Sequence, residues 1–326
     1  MNKPEQTLFK PAVIIGLLLV LGGILAARVW SDLQFSMSRI DLPVASGGSV
    51  RGLPLRVAVL GDLHVGHGIM DPDALQRLFD TVIAEDPDLI VLVGDYAPGL
   101  TGNGFDQLRR AVVERIRDVS ALTPTYVVLG NYENRSGAEA WFDAFREAGV
   151  NVLENEVIVT NIGAARVCVR GLGDYYSGRF RWVNWPDSCT SRIKITLTHD
   201  PAGAFVRPVK GVTFAGHTHC GQIRFPFVGA LWMPTTAPRE ATCGLYRDQD
   251  RTLYVTSGVG TSILPLRLGA PSTWDMVTLV AMPDVPDELL NARWISCRGH
   301  VSVENSLIGR WIRLRGGGHI DIPIIW

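Results

Sequence analysis

The sequence predicts an α/β protein in which two packed sheets carry helices on their outer faces, preceded by one N-terminal transmembrane helix. Three observations carry that expectation. Apolar runs of strand length alternate with helix-spaced segments as far as Leu153, the pattern changes to short strand-like runs after Val157, and Ala12 to Ala27 is an uncharged apolar stretch unlike the rest of the chain.

The apolar stretch comes first. At about 1.5 Å per residue it reaches roughly 24 Å as a helix, and Val29, Trp30 and a snorkelling Arg28 extend it towards a ~30 Å hydrocarbon core. A cleaved signal peptide would need small residues at both positions before the cut, which pairs such as Leu25/Ala27 or Ile24/Ala26 do not supply. Residues 1–30 therefore read as a single-pass anchor in the cell membrane. Lys3 and Lys10 nearly balance Arg28 and Arg39 across it, which leaves the side of the catalytic domain open, with the extracytoplasmic side slightly favoured. Residues 31–53 read as a polar tether with one edge strand near Met37 to Leu42.

The domain proper is expected over 54–282. Leu55 to Leu60 and Leu89 to Val93 are continuous apolar strands, and Leu75, Leu78, Phe79 and Val82 mark a helix over Pro72 to Glu85 between them, a βαβ unit. Helices near Gly104 to Ser120 and Ala138 to Ala148 lead to strands at Thr125 to Leu129 and Asn151 to Leu153. Short strands follow at Val157 to Thr160, Arg166 to Val169, Ile193 to Leu197, Val212 to Ala215, Thr252 to Thr256 and Met276 to Val280. Residues 283–326 form a tail without a clear period.

A chain of 326 residues, 47% hydrophobic, fills a core, and a net charge of −1 gives no global attraction to nucleic acid, so no nucleic-acid partner is expected. The five cysteines, Cys168, Cys189, Cys220, Cys243 and Cys297, are scattered; their spacing suggests neither a zinc ribbon nor a disulfide framework and assigns no redox compartment.

The chemistry sits at the carboxyl ends of strands, where α/β sheets place ligands. Five apolar runs end in polar motifs: Gly61-Asp62-Leu63-His64, Gly94-Asp95, Gly130-Asn131-Tyr132-Glu133, Thr198-His199-Asp200 and Gly216-His217-Thr218-His219. A lone D-x-H or buried His is usually structural. Placed together at successive strand ends, carboxylate, imidazole and amide oxygen suit manganese, iron or zinc, and one carboxylate can bridge two ions.

The order D-x-H, GD, GN, H, GHTH resembles the calcineurin-like metallophosphoesterases, and within them the bacterial membrane-associated branch around YkuE and YaeI. Secondary stretches such as PDLIVLVGD, GHTHCGQIRFP and LYVTSGVGTS share the likeness, which covers about Arg39 to Val280. The resemblance implies a four-layer αββα sandwich and two divalent metal ions, manganese first, with iron or zinc as alternatives. It implies that Asp62, His64, Asp95 and His219 hold one metal and Asp95, Asn131, His199 and His217 the other. The implied reaction is hydrolysis of a phosphodiester or phosphoanhydride, with a membrane-associated or lipid-linked substrate. UDP-2,3-diacylglucosamine is the named candidate by resemblance to its hydrolases, and it would require the domain to face the cytoplasm. A metal-binding protein without catalysis and a nuclease are the alternatives.

The sequence departs from the family at three places. Tyr132 stands where most relatives carry a His that protonates the leaving group, and a phenol releases a proton less readily than imidazolium. Cys220 follows GHTH where glycine is usual, and Tyr96 to Pro98 replace a second carboxylate after GD. Tyr132 and His67 are the catalytic candidates, while Arg179 and Tyr176, in an aromatic segment with Trp182 and Trp185, are the candidate grip on a phosphate and an apolar tail.

Overall fold

The computed structural model describes residues 11–46, 52–225, 227–282, 294–297 and 300–303. Lys3, Lys10 and most of the C-terminal tail lie outside the described residues.

In chain order the first sheet draws on β1 (Ser36–Ser46), β2 (Leu55–Leu60), β3 (Leu89–Leu92), β4 (Thr125–Val127) and β5 (Asn151–Val152). Helices α1 (Pro11–Leu33), α2 (Pro72–Ala84), α3 (Asn103–Ser120) and α4 (Asn131–Glu147) precede or connect them. Then come β6 (Glu156–Ile162), β7 (Ala165–Gly171), β8 (Ile193–Leu197), β9 (Val212–Ala215), the hairpin β10 (Arg224–Phe225) and β11 (Gly229–Ala230), β12 (Gly244–Arg247), β13 (Thr252–Val255) and β14 (Thr273–Met282). β15 (Trp294–Cys297) and β16 (His300–Val303) close the order.

The first sheet runs β1-β14-β2-β3-β4-β5 and the second β16-β15-β12-β13-β9-β8-β7-β6. Their packing explains the continuous apolar runs. Along β2, Val57 and Val59 face the second sheet's Val169, Ile195 and Phe214, while Ala58 and Leu60 face α2 to α4, so neither face meets water. This is the predicted helix–sheet–sheet order. Its fourth layer is slight: among the described residues, 3-10 turns at Pro201–Phe205 and Arg239–Ala241 pack Ala204, Phe205 and Ala241 against Tyr246, Leu253 and Val255.

Asp71 caps α2 by accepting from Ala74 N at 2.6 Å, and the four carboxyl-side positions of its apolar stripe are buried, as the spacing predicted. α4 begins earlier than expected, at Asn131, because the Glu133 carboxylate reaches back to accept from Gly130 N at 2.9 Å; a break at Gly137 (φ 106°) separates this turn from the predicted segment. Two domain boundaries also change. β1, placed in the tether, pairs in parallel with β14, and β15 of the supposed tail pairs with β12.

α1 runs to Leu33, past the expected end at residue 30, and is long and apolar enough over Ile14–Leu33 to cross a membrane. Its last turn joins the domain: Asp32 is buried, accepts from Gly269 N at 2.7 Å and pairs with Arg28 at 3.0 Å.

The cysteines correct the sequence reading. Cys168–Cys189 and Cys220–Cys243 are disulfides with Cα atoms 5.9 and 4.8 Å apart. Separations of 21 and 23 residues form no recognisable sequence framework, yet the fold brings Cys168 of β7 to Cys189 in the loop before β8, and Cys220 in the turn after β9 to Cys243 just before β12.

Candidate metal centre

β2, β3 and β4 run parallel in one sheet, and β8 and β9 run parallel in the other, so their carboxyl ends open on a common edge. Asp62, His64, Asp95, Asn131, His199, His217 and His219 leave these ends, and all are buried. Asp62, His64, Asp95, His217 and His219 have φ between 46° and 70°. Left-handed backbone at non-glycine residues costs about 1–3 kcal/mol each, and its concentration here marks a site that the surrounding fold must hold in place. Neighbouring glycines make room: a Cβ at Gly130 would lie 2.3 Å from Asp95 Oδ1, and one at Gly216 would lie 2.7 Å from Asp62 Oδ2.

The side chains form two clusters. Asp62, His64 and His219 bring ligand atoms together on one side, with His64 Nε2 and His219 Nε2 3.1 Å apart and Asp62 Oδ1 3.5 Å from the latter. On the other side His199 Nε2 lies 3.1 Å from Asn131 Oδ1, 3.2 Å from His217 Nδ1 and 3.3 Å from Asp95 Oδ2. Asp95 Oδ2 is also 3.7 Å from His64 Nε2, so one oxygen faces both clusters.

Ring orientation makes these groups electron-pair donors. His199 Nδ1 meets Val93 O at 2.6 Å, and His217 Nε2 meets Pro234 O at 2.6 Å. A carbonyl can only accept, so each ring donates outward and, when neutral, turns its other nitrogen's lone pair inward. In the Asn131/His199/His217 cluster, oxygen and nitrogen lone pairs turned inward in this way fit a borderline divalent cation.

The electrostatics agree. Burial pushes Asp62 up to about 7, with His199 opposing and Asp95 adding to the rise. Asp95 is equally buried, but His199, then His64 and His217, outweigh burial and bring it down to about 2. Burial lowers His64 to about 4; burial and then Arg267 lower His219 well below the ordinary range, and burial and then His199 lower His217. These rings are neutral near pH 7, the form that ligates. Burial also opposes charge on His199, but Asp95 outweighs it and pushes it well upward: this pocket draws positive charge.

Tyr132 joins the site. Its ring meets His64 edge-on at 4.7 Å, its N–H donates to Asp95 Oδ1 at 2.9 Å, and its hydroxyl is 2.8 Å from Ser262 Oγ. Tyr176 also reaches it, with its ring 4.8 Å from His217, on a turn fixed by buried Asp174 accepting from Tyr176 N and Ser177 N. His67 is half-buried, with Nδ1 3.0 Å from Thr261 O.

Two expectations fail. Arg179 is not an open phosphate grip: Glu154 holds it through contacts of 2.6 and 2.8 Å, and Glu139 approaches at 3.2 Å, so carboxylates offset its charge. Trp182 and Trp185 sandwich the Arg170 guanidinium at 4.4 and 4.3 Å instead of facing a tail.

Two important residues went unread. Glu133 is buried and accepts from the N–H groups of Asp95, Tyr96 and Gly130 at 2.7 to 2.9 Å, tying two metal-site turns together. Its place in the GN-Y-E motif was the available signal. Arg267 is fully buried, donates to the carbonyls of Ser257, Gly258 and Gly260, and lies 3.0 Å from His219 Nδ1. A lone Arg in a loop carries no such signal.

The family model for the Calcineurin-like phosphoesterase matches residues 55–221, which contain every ligand candidate above. The chain belongs to this phosphoesterase family. Phosphodiesterase YaeI of Escherichia coli is 28% identical over 235 residues, covering 70% of this chain and 83% of the relative. YkuE of Bacillus subtilis, an uncharacterised metallophosphoesterase, is 26% identical, covering 69% and 78%. A transmembrane protein with a metallophosphoesterase domain from Danio rerio is 27% identical over 277 residues, and this chain spans 60% of its length. The phosphoesterase thus falls in the predicted YkuE/YaeI-like branch.

Proposed function

We propose that this chain is a membrane-anchored, dimetal-dependent hydrolase of a phosphodiester or phosphoanhydride carried by a membrane-associated, lipid-linked substrate. The observation that carries this reading is Asp95 Oδ2, set between two buried donor clusters at 3.7 Å from His64 and 3.3 Å from His199. Two divalent ions, when bound, supply polarisation of the phosphoryl oxygens and a water acidic enough to attack near neutral pH. The mixed carboxylate, imidazole and amide set favours manganese, with iron or zinc as alternatives.

Asp62, His64 and His219 would hold one ion and Asn131, His199 and His217 the other, with Asp95 facing both. Tyr132 offers a hydrogen bond from the rim beside His64, and Tyr176 borders the opposite cluster at His217. A phenol in place of an imidazole favours leaving groups that are already stable, such as a phosphate or an aryl oxide. His67, steadied by Thr261, is the second candidate for proton transfer.

An α1 long and apolar enough to cross a membrane supports membrane association, and two disulfides suit an oxidising compartment, which favours a domain on the extracytoplasmic side. That orientation argues against UDP-2,3-diacylglucosamine, which would be met in the cytoplasm, and for a lipid or cell-wall phosphoester outside it. A net charge of −1 gives the nuclease alternative no overall attraction to a polyanion.

The test is turnover of a bis-aryl phosphodiester by the full chain in detergent, dialysed against manganese. Metal-dependent turnover that disappears in Asp95→Ala is expected. A wild type that binds metal yet turns over no phosphoester would favour the non-catalytic alternative.

A further inference from the structure

The segment between His219 and Pro234 carries an apolar surface that the hydrolase reading does not use. β10 and β11 form a two-stranded hairpin whose turn residue Phe227 is fully exposed, and Leu231 and Trp232 beyond it are 70% and 63% exposed. Ile263, on a separate loop, is 72% exposed. The loop is fixed to the base of the hairpin: the Gln222 amide donates to Ser262 O and Leu264 O at 2.9 Å, and its oxygen accepts from Ser262 N at 2.7 Å. Large apolar side chains held outward on a rigid turn mark a surface made to be covered.

The position of the hairpin identifies the covering. Arg224 N donates to Leu268 O at 2.7 Å, and Leu268 N donates to Gln222 O at 2.9 Å, so Leu268 lies along the hairpin's base. The next residue, Gly269, donates to Asp32 Oδ2 in the last turn of α1 at 2.7 Å. The base of the apolar hairpin and the last turn of α1 are therefore anchored one residue apart on the 268–269 backbone. Phenylalanine and tryptophan also suit the boundary between headgroups and acyl chains.

The same surface rims the metal centre. After Trp232 the chain reaches Pro234, whose carbonyl meets His217 Nε2 at 2.6 Å, and Ser262 beside Ile263 meets the Tyr132 hydroxyl at 2.8 Å. We infer that the Phe225–Trp232 hairpin and the Ile263–Leu264 loop dip into the bilayer and seat the mouth of the metal centre at headgroup level. The substrate phosphate then belongs to a lipid headgroup in the same membrane, an inference that rests on the hydrolase reading for its chemistry but not for the membrane contact.

The contact is tested without activity. Full-length protein is reconstituted into vesicles of brominated phosphatidylcholine, and tryptophan emission is compared between wild type and Trp232→Phe. The difference signal, which belongs to Trp232, is expected to be quenched relative to unbrominated vesicles; an unquenched difference would overturn the inference. If Trp232→Phe fails to reconstitute, Phe227→Trp should add a quenched component instead. A dimer in sedimentation that Phe227→Asp dissociates, with Trp232 unquenched, would assign the patch to a second copy and also overturn it. Activity forms a separate arm: Phe227→Asp/Trp232→Asp should lose about tenfold on a phosphodiester lipid in vesicles yet stay within about twofold on the soluble aryl phosphodiester. Failure on both substrates in the wild type would defeat the hydrolase reading and leave the quenching result standing.

Discussion

The two ligand clusters use similar side chains but are supported differently. In the Asn131/His199/His217 cluster, both rings are oriented by backbone carbonyls, Val93 O and Pro234 O, and the ionised Asp95 lies within 3.3 Å of His199. In the Asp62/His64/His219 cluster, a buried guanidinium, Arg267, stands 3.0 Å from His219, and Asp62 is the carboxylate that burial pushes up to about 7. In the first pocket Asp95 draws positive charge onto His199; the second has a fixed cation beside it. Equal ligand counts therefore do not mean equal affinities, and the second pocket should release its ion first.

Asp95→Ala should produce the largest effect, because it removes the oxygen that both clusters share. Turnover of the aryl phosphodiester should fall about 10³-fold or more, measured at saturating metal. The clusters separate at the next level. His217→Ala should lower metal affinity more than His64→Ala does, read by competition with a fluorescent chelator, since it empties the more strongly attracting pocket. Equal losses would erase the distinction drawn here.

Arg267→Met should cost about 3 kcal/mol of stability in denaturant unfolding, because the carbonyls of Ser257, Gly258 and Gly260 lose a shared donor. If the folded variant then holds the Asp62-side ion more tightly than wild type, the guanidinium is confirmed as the source of the asymmetry. Tyr132→His should flatten the dependence of rate on leaving-group pKa, by about tenfold or more for alkyl esters. Equal slopes in the two proteins would move proton transfer elsewhere, with His67 next.

The smallest effect concerns pH. Burial raises Asp275 to about 6, although Tyr254 and Thr256 donate to it. Its folded pKa is above the ordinary value of 3.8, so its stabilising contribution is complete below about pH 4 and is lost as pH rises through 6. Asp275→Asn should flatten that part of the stability profile.

Much of this was legible in the sequence where one physical cause dominates. β2 and β3 are buried on both faces and therefore read as unbroken apolar runs, and the polar residues at their ends stand out against them. Pairings across long separations were not legible. The disulfides, the Glu154 partner that occupies Arg179 and the burial of Arg267 all depend on strands and loops that meet only in the fold. β12 was missed because four residues beginning at a glycine show too little pattern, and β1 was taken for tether because its partner, β14, lies more than two hundred residues away.

The central claim is that a single carboxylate oxygen joins two metal pockets, and metal analysis of the dialysed full-length protein tests it most directly. The account predicts close to two manganese ions per chain in the wild type, with Asp95→Ala depleted at both pockets and His64→Ala depleted at one. An Asp95→Ala protein that is folded and still holds two ions would contradict it.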